Sequence, residues 1–123
     1  MSTRTPIYVA VVDDDESLCR SLGRLLRAAG MQPVTYASAE DFLADTKHPG
    51  FDCLVLDVKL GGMSGIELAR RLVAKGGHAP FIFITAHDDE ETRVEAQAVG
   101  CTAYFRKHDP GADVLAAIRR LAG

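Results

Sequence analysis

The chain has 123 residues, 47% of them hydrophobic and 25% charged, with a net charge of −3. That length suits one domain that buries enough surface to fold without staples, and a second domain does not fit comfortably. The acidic balance excludes a chain-wide basic footprint for nucleic acid, and no apolar run approaches a membrane span, so direct binding to either is not expected. Cys19, Cys53 and Cys101 are an odd number without CxxC spacing, which excludes a disulfide framework or zinc site and leaves them as packing residues. The opening segment, Met1 to Pro6, is short and polar with no apolar signal core, and a cytoplasmic protein is expected.

Ile7 to Val12 is an unbroken apolar run that delivers Asp13, Asp14, Asp15 and Glu16, which predicts a buried strand ending on carboxylates. Leu18, Leu22, Leu25, Leu26 and Ala29 then recur at helical spacing, with Arg20, Arg24 and Arg27 opposite and Gly30 as the stop. Pro33 to Ala37 predicts a short strand, and Ser38 followed by Asp41 resembles a capping box for a helix carrying Phe42 and Leu43. Pro49 and Gly50 break the chain before Cys53 to Asp57, a run apolar enough to be covered on both faces, which carries Asp57 to its end.

Gly61, Gly62 and Gly65 make the next loop flexible, and Ser64 caps a helix with Ile66, Leu68, Ala69, Leu72 and Val73, stopped by Gly76 and Gly77. Phe81 to Ile84 predicts a strand ending on Thr85. The acidic run Asp88 to Glu91 suits the start of a helix that ends at Gly100. Its apolar face, Val94, Ala98 and Val99, is thin, so it is expected to be the most mobile helix. Ala103 to Phe105 predicts the last strand. Lys107 follows, and Asp109-Pro110 starts a helix built on Val114, Leu115, Ile118 and Leu121.

Strand and helix thus alternate five times, which calls for a parallel sheet with helices on both faces, joined by right-handed crossovers. All strand C-termini of such a sheet share one edge, where ligands bind. Asp13, Asp14, Asp57, Thr85 and Lys107 can therefore converge. Each alone has a plain explanation as a cap, a strand end or a solvated charge. Together, three carboxylates repel one another, and a hard divalent cation such as Mg²⁺ relieves that repulsion. A cation, a hydroxyl and an ammonium around one free carboxylate are what phosphoryl transfer to that carboxylate requires, with Asp57 as nucleophile.

The acid pair in VVDDDES (Asp13, Asp14), Asp57 in LVLDVKLGGMSG, Thr85 in FITAHD and Lys107 in AYFRKHD resemble, in order and spacing, the receiver domains of two-component response regulators. The stretch from VVDDDES through SAEDFLA is closest in look to the FixJ type. The resemblance implies a flavodoxin-like, doubly wound (βα)5 fold of strand order 2-1-3-4-5, one receiver domain over residues 1–123 with its core from about residue 7 to 121. It further implies Mg²⁺ (or Mn²⁺) held directly by Asp14, Asp57 and the backbone carbonyl of Lys59, with Asp13 reaching it through water. Asp57 would take phosphate from a sensor histidine kinase or a phosphotransfer protein. Thr85 and Tyr104 would act as the switch, and the fourth helix, last strand and final helix as the face read by an output partner, a C-terminal effector domain or a second copy in a phosphorylation-dependent homodimer. Such a chain is a phosphoacceptor and not a turnover enzyme.

Lys59 and His87, two residues past Asp57 and Thr85, would flank the path of the hydrolysing water and tune the phosphoaspartate lifetime. Two positions depart from the family pattern: Gly61 and His108 stand where prolines are usual. Gly61 should loosen its loop, and the Lys107–His108 bond should be trans, since a cis bond before histidine costs about 2.5 to 4 kcal/mol. Two rivals remain: a degenerate, phosphorylation-independent interaction module, and a phosphatase of the haloacid dehalogenase type. The phosphatase needs a second Asp where Lys59 stands. A dinucleotide fold needs a GxGxxG where DDDES stands.

Overall fold

The computed structural model describes residues 6–48, 50–86 and 88–122. Pro49 and His87, to which the sequence assigned a chain break and a tuning role, lie outside them, as does the opening segment through residue 5. The described residues form β1 (Tyr8–Val12), α1 (Glu16–Ala28), β2 (Gln32–Tyr36), α2 (Ala39–Ala44), β3 (Cys53–Asp57), α3 (Gly65–Lys75), β4 (Phe81–Thr85), α4 (Glu90–Val99), β5 (Ala103–Arg106) and α5 (Gly111–Ala122). The strands pair in parallel in the order β2-β1-β3-β4-β5, as the resemblance implied.

The alternation of side chains along a strand divides the core in two. Val9 and Val11 of β1, Cys53 and Val55 of β3, and Ile82 and Ile84 of β4 pack with Leu22 and Leu26 of α1 and Val114 and Ile118 of α5. Ala10, Val12, Leu54, Leu56, Phe81 and Phe83 point the other way and meet Ile66, Leu68 and Ala69 of α3 and Ala96 of α4. Both faces of β3 and β4 are thereby covered, which is why these strands read as continuous apolar runs. Full burial of a side chain such as Phe83 or Leu26 contributes about 1.5 to 3 kcal/mol.

The starts of α2 and α3 follow the predicted serine caps, and at α4 one member of the predicted acidic run, Asp89, serves as the cap. Ser38 accepts a hydrogen bond from the Asp41 N–H, Ser64 from Glu67 and Asp89 from Thr92, each satisfying a donor that the first turn leaves free. At α5, Pro110 stands one residue before the helix and its carbonyl accepts the N–H of Asp113, so the chain enters α5 without a capping side chain at that position. There is no cis peptide bond among the described residues, and the Lys107–His108 bond is trans as expected.

The expected face of α4 is corrected. Val94 is 57% exposed and Ala98 is also exposed; the helix instead buries Thr92 and Ala96, with Val99 partly buried against the core. The Asp89 cap fixes where the helix begins, and residues 92, 96 and 99 then share its inner stripe. Ala96 and Thr92 are small, and a stripe of small and polar residues leaves no strong hydrophobic period in the sequence.

Candidate functional site

β1 and β3 are neighbours, with Val12 opposite Leu56, so one further step brings Asp13 beside Asp57 at the C-terminal edge of the sheet. Both are nearly closed from solvent, Asp13 at 2% and Asp57 at 3% exposure, whereas Asp14 is exposed. The carboxylates of Asp13, Asp14 and Asp57 each offer an oxygen, and these oxygens lie within 4.8 Å of one another. From β5 the chain returns Lys107 to the same place. Its N–H donates to the carbonyl of Thr85 (2.8 Å), and its Nζ reaches Asp13 Oδ1 at 3.1 Å and Asp57 Oδ2 at 3.3 Å, with Asp15 Oδ2 at 3.8 Å. Thr85 closes β4 between β3 and β5 and is fully buried. The five residues singled out from strand ends therefore do gather at one edge.

One ammonium shared by two buried carboxylates does not balance them. Burial pushes the Asp57 carboxyl up to about 7, the neighbouring Asp13 charge adds to this, and Lys107 only partly offsets it. Burial opposes the charge of Lys107, but its bonds to Asp13 and the charges of Asp13 and Asp57 outweigh that and raise its pKa. Asp13 is tied down further by the Asp15 N–H, which donates to Oδ1 at 2.9 Å, yet Asp13 Oδ2 is buried with no hydrogen-bond partner among the described residues. A buried acceptor in that condition costs free energy unless something binds it. Three converging carboxylates, one of which carries an unsatisfied oxygen, fit a small divalent cation.

The loop after Asp57 is fixed at several points. The Lys59 N–H donates to Asp57 Oδ1 (3.3 Å), which keeps the Lys59 backbone beside the pocket while its side chain is exposed. The Gly65 N–H donates to the Val58 carbonyl (3.0 Å). Gly65, which the sequence suggested only as part of a flexible loop, is required by close approach: a Cβ there would overlap the Asp57 carbonyl oxygen. Gly62 has a positive φ of 77°, and Met63 donates its N–H to Glu40 Oε2 of α2 at 2.9 Å. Sequence reasoning missed Glu40, because 23 residues separate it from Met63 and an acid in a helix's first turn has an ordinary explanation as a partner of the macrodipole.

Tyr104 lies on β5 opposite Phe83, and its side chain packs against the core shared with α3 and α4. Its hydroxyl is buried without a partner among the described residues, and the Arg93 guanidinium sits 5.4 Å from the ring centroid. Arg93 in turn holds both oxygens of Asp88 at 2.8 Å, Arg106 approaches Asp88 at 3.8 Å, and Arg106 also meets Asp109 at 3.3 Å. These ion pairs were not predicted; charged residues at exposed positions carry no periodic signal.

The family model of the response regulator receiver domain matches residues 9–119. The transcriptional regulatory protein FixJ of Azorhizobium caulinodans is 36% identical over 115 residues, which are 94% of this chain and 54% of that protein. Nodulation protein W of Bradyrhizobium diazoefficiens is 38% identical over 93% of this chain and 50% of its own length. The chain thus spans about half the length of the curated relatives it matches. Among solved structures, that of FixJ-N superposes with a TM-score of 0.85 at 33% identity, covering 97% of this chain and 95% of the other. By family match, by FixJ-type relatives and by fold, the chain belongs to the receiver domains of two-component response regulators.

Proposed function

We propose that this chain is a working phosphoacceptor: Asp57 takes a phosphoryl group from the phosphohistidine of a sensor histidine kinase or phosphotransfer protein. The observation that carries this reading is the intact pocket, in which Asp13, Asp14 and Asp57 converge and Lys107 spans the two buried acids. A carboxylate oxygen of Asp57 attacks phosphorus, the bond from phosphorus to the histidine nitrogen breaks, and the electron pair leaves with the imidazole. Asp14, Asp57 and the Lys59 carbonyl would hold Mg²⁺ or Mn²⁺, with Asp13 contributing through water, and the cation when bound offsets negative charge on the transferring group. Lys107 keeps its ammonium between the acids and can move to a phosphoryl oxygen as the charge of Asp57 is consumed. Thr85 supplies a hydroxyl from the neighbouring strand end.

Thr85 and Tyr104 would then act as the switch, with α4, β5 and α5 as the face read by an effector domain, an output partner or a second copy. The Tyr104 ring packs against the core, and its unpartnered buried hydroxyl is a cost that a rearranged β4–α4 connection can relieve. The exposed Lys59 side chain is a tuning position: a bulky donor beside the path of water should lengthen the phosphoaspartate lifetime, so decay should quicken in Lys59→Ala. We place this receiver domain in the cytoplasm, acting without substrate turnover. No helix among the described residues is long and apolar enough to cross a membrane. The degenerate-module reading is disfavoured because every acid of the pocket is present. The reading is tested by titrating the protein with beryllofluoride, with and without Mg²⁺. Saturable binding that needs Mg²⁺ and weakens at least about tenfold in Asp14→Ala is expected; equal affinity in the variant would contradict the metal assignment.

A further inference from the structure

The loop from Val58 to Ser64 runs directly from Asp57 and carries the Lys59 carbonyl. Its two ends are held, by the Lys59 N–H on Asp57 and the Gly65 N–H on Val58. Its middle is Gly61-Gly62, the most permissive pair the chain can offer, and a Cβ at Gly61 would meet nothing within 4 Å. No restraint arises from these two residues themselves. The restraint comes from outside, where Glu40 places its carboxylate against the loop: Oε2 accepts the Met63 N–H at 2.9 Å and lies 2.7 Å from where a Cβ of residue 62 would stand. A positive φ at Gly62 and the absence of a side chain there are both needed for this fit.

Glu40 is itself held in place. Its helix starts at the Ser38 cap, Ala39 is fully buried, and Phe42 packs edge-on against Tyr36 at 5.3 Å. The Met63 N–H bond holds the Glu40 carboxyl below the usual carboxylate range, so it is ionised and the bond is charge-assisted.

We infer that Glu40 is a positioning residue for the phosphoacceptor pocket: it clamps the glycine loop from α2 and so holds the Lys59 backbone in the place where the cation binds. The inference rests on the phosphoacceptor reading above. It assigns to a side chain from another element the restraint that a rigid residue at position 61 would supply locally, and it makes α2 part of the site's support.

The test compares wild type, Glu40→Ala, Glu40→Gln and Glu40→Ala/Gly61→Pro. In metal-free protein, the Met63 amide should exchange with deuterium about tenfold faster in Glu40→Ala, and by a smaller factor in Glu40→Gln, whose neutral amide oxygen still accepts. Mg²⁺ affinity should fall about three- to tenfold in Glu40→Ala and recover in the double variant, where proline restrains the loop instead. Melting temperature is followed throughout, and a general loss of fold would speed exchange at every core amide and would not be rescued by Gly61→Pro. Unchanged Met63 exchange in Glu40→Ala would overturn the inference. So would unchanged Mg²⁺ affinity, equal loss in Glu40→Gln, or absence of rescue. Failure of wild type to bind Mg²⁺ at all would refute the phosphoacceptor reading instead, and the exchange data would still judge the clamp.

Discussion

The pocket at the ends of β1 and β3 and the outer face of α4 and β5 are both built from acids and bases, but burial gives the same groups different consequences. In the pocket, Asp13 and Asp57 are almost fully enclosed and divide one ammonium between them. On the outer face, the side chains of Arg93 and Arg106 are about half exposed; Arg93 takes both oxygens of Asp88, and Arg106 lies between Asp88 and Asp109. Enclosed charges cost several kcal/mol unless fully paired, whereas exposed pairs are worth about 0 to 1 kcal/mol and are screened by salt. The pocket therefore holds an imbalance that a ligand can relieve. The face can be rearranged at little expense, which suits the switching role proposed for it.

The largest loss of stability is expected at Gly65. Its close approach to the Asp57 carbonyl leaves no room for a methyl group, so Gly65→Ala must shift either β3 or the start of α3. Urea unfolding should show a loss of about 3 kcal/mol. A loss below the error of the measurement would mean that the backbone of the pocket is not tightly set.

An effect of comparable size and opposite sign is expected for Asp57→Asn. The folded state raises this carboxyl from 3.8 to about 7, so between those values the folded chain keeps a proton that the unfolded chain has released. In metal-free buffer, stability should therefore fall as pH rises from about 4 through about 7 and level off above. Asp57→Asn removes that loss and should be more stable than wild type by about 2 to 4 kcal/mol at pH 8, with little difference near pH 4. Addition of Mg²⁺ should narrow the gap by stabilising wild type. A variant less stable than wild type at pH 8 would show that Lys107 balances the acids fully.

The smallest effect belongs to the outer face. Arg93→Ala should leave the unfolding midpoint nearly unchanged, and any difference should vanish in high salt. A salt-independent loss as large as the Asp57→Asn effect would erase the distinction between the two regions.

The fold was legible because β3 and β4 are covered on both faces and their residues had to be apolar throughout, while the helix caps Ser38 and Ser64 are local chemistry. The pocket was legible for a related reason: a parallel sheet collects its strand ends, so residues far apart in sequence could be placed together by counting strands. The remaining features depend on distances that no local pattern encodes. The inner stripe of α4 is Thr92, Ala96 and Val99, whose weak hydrophobicity hid the phase that the Asp89 cap sets. Gly65 looked like one more loop glycine until the Asp57 carbonyl was seen against it. Glu40 meets Met63 only because α2 and the β3–α3 loop are adjacent in space.

The proposed reaction is the Mg²⁺-dependent transfer of a phosphoryl group to Asp57. The direct measurement is intact-protein mass spectrometry after incubation with acetyl phosphate, with the modified residue mapped by peptide fragmentation. One phosphoryl group per chain is expected, located on Asp57, formed with Mg²⁺, abolished by a chelator and absent in Asp57→Asn. A phosphoryl group on another residue, or equal labelling in Asp57→Asn, would contradict it.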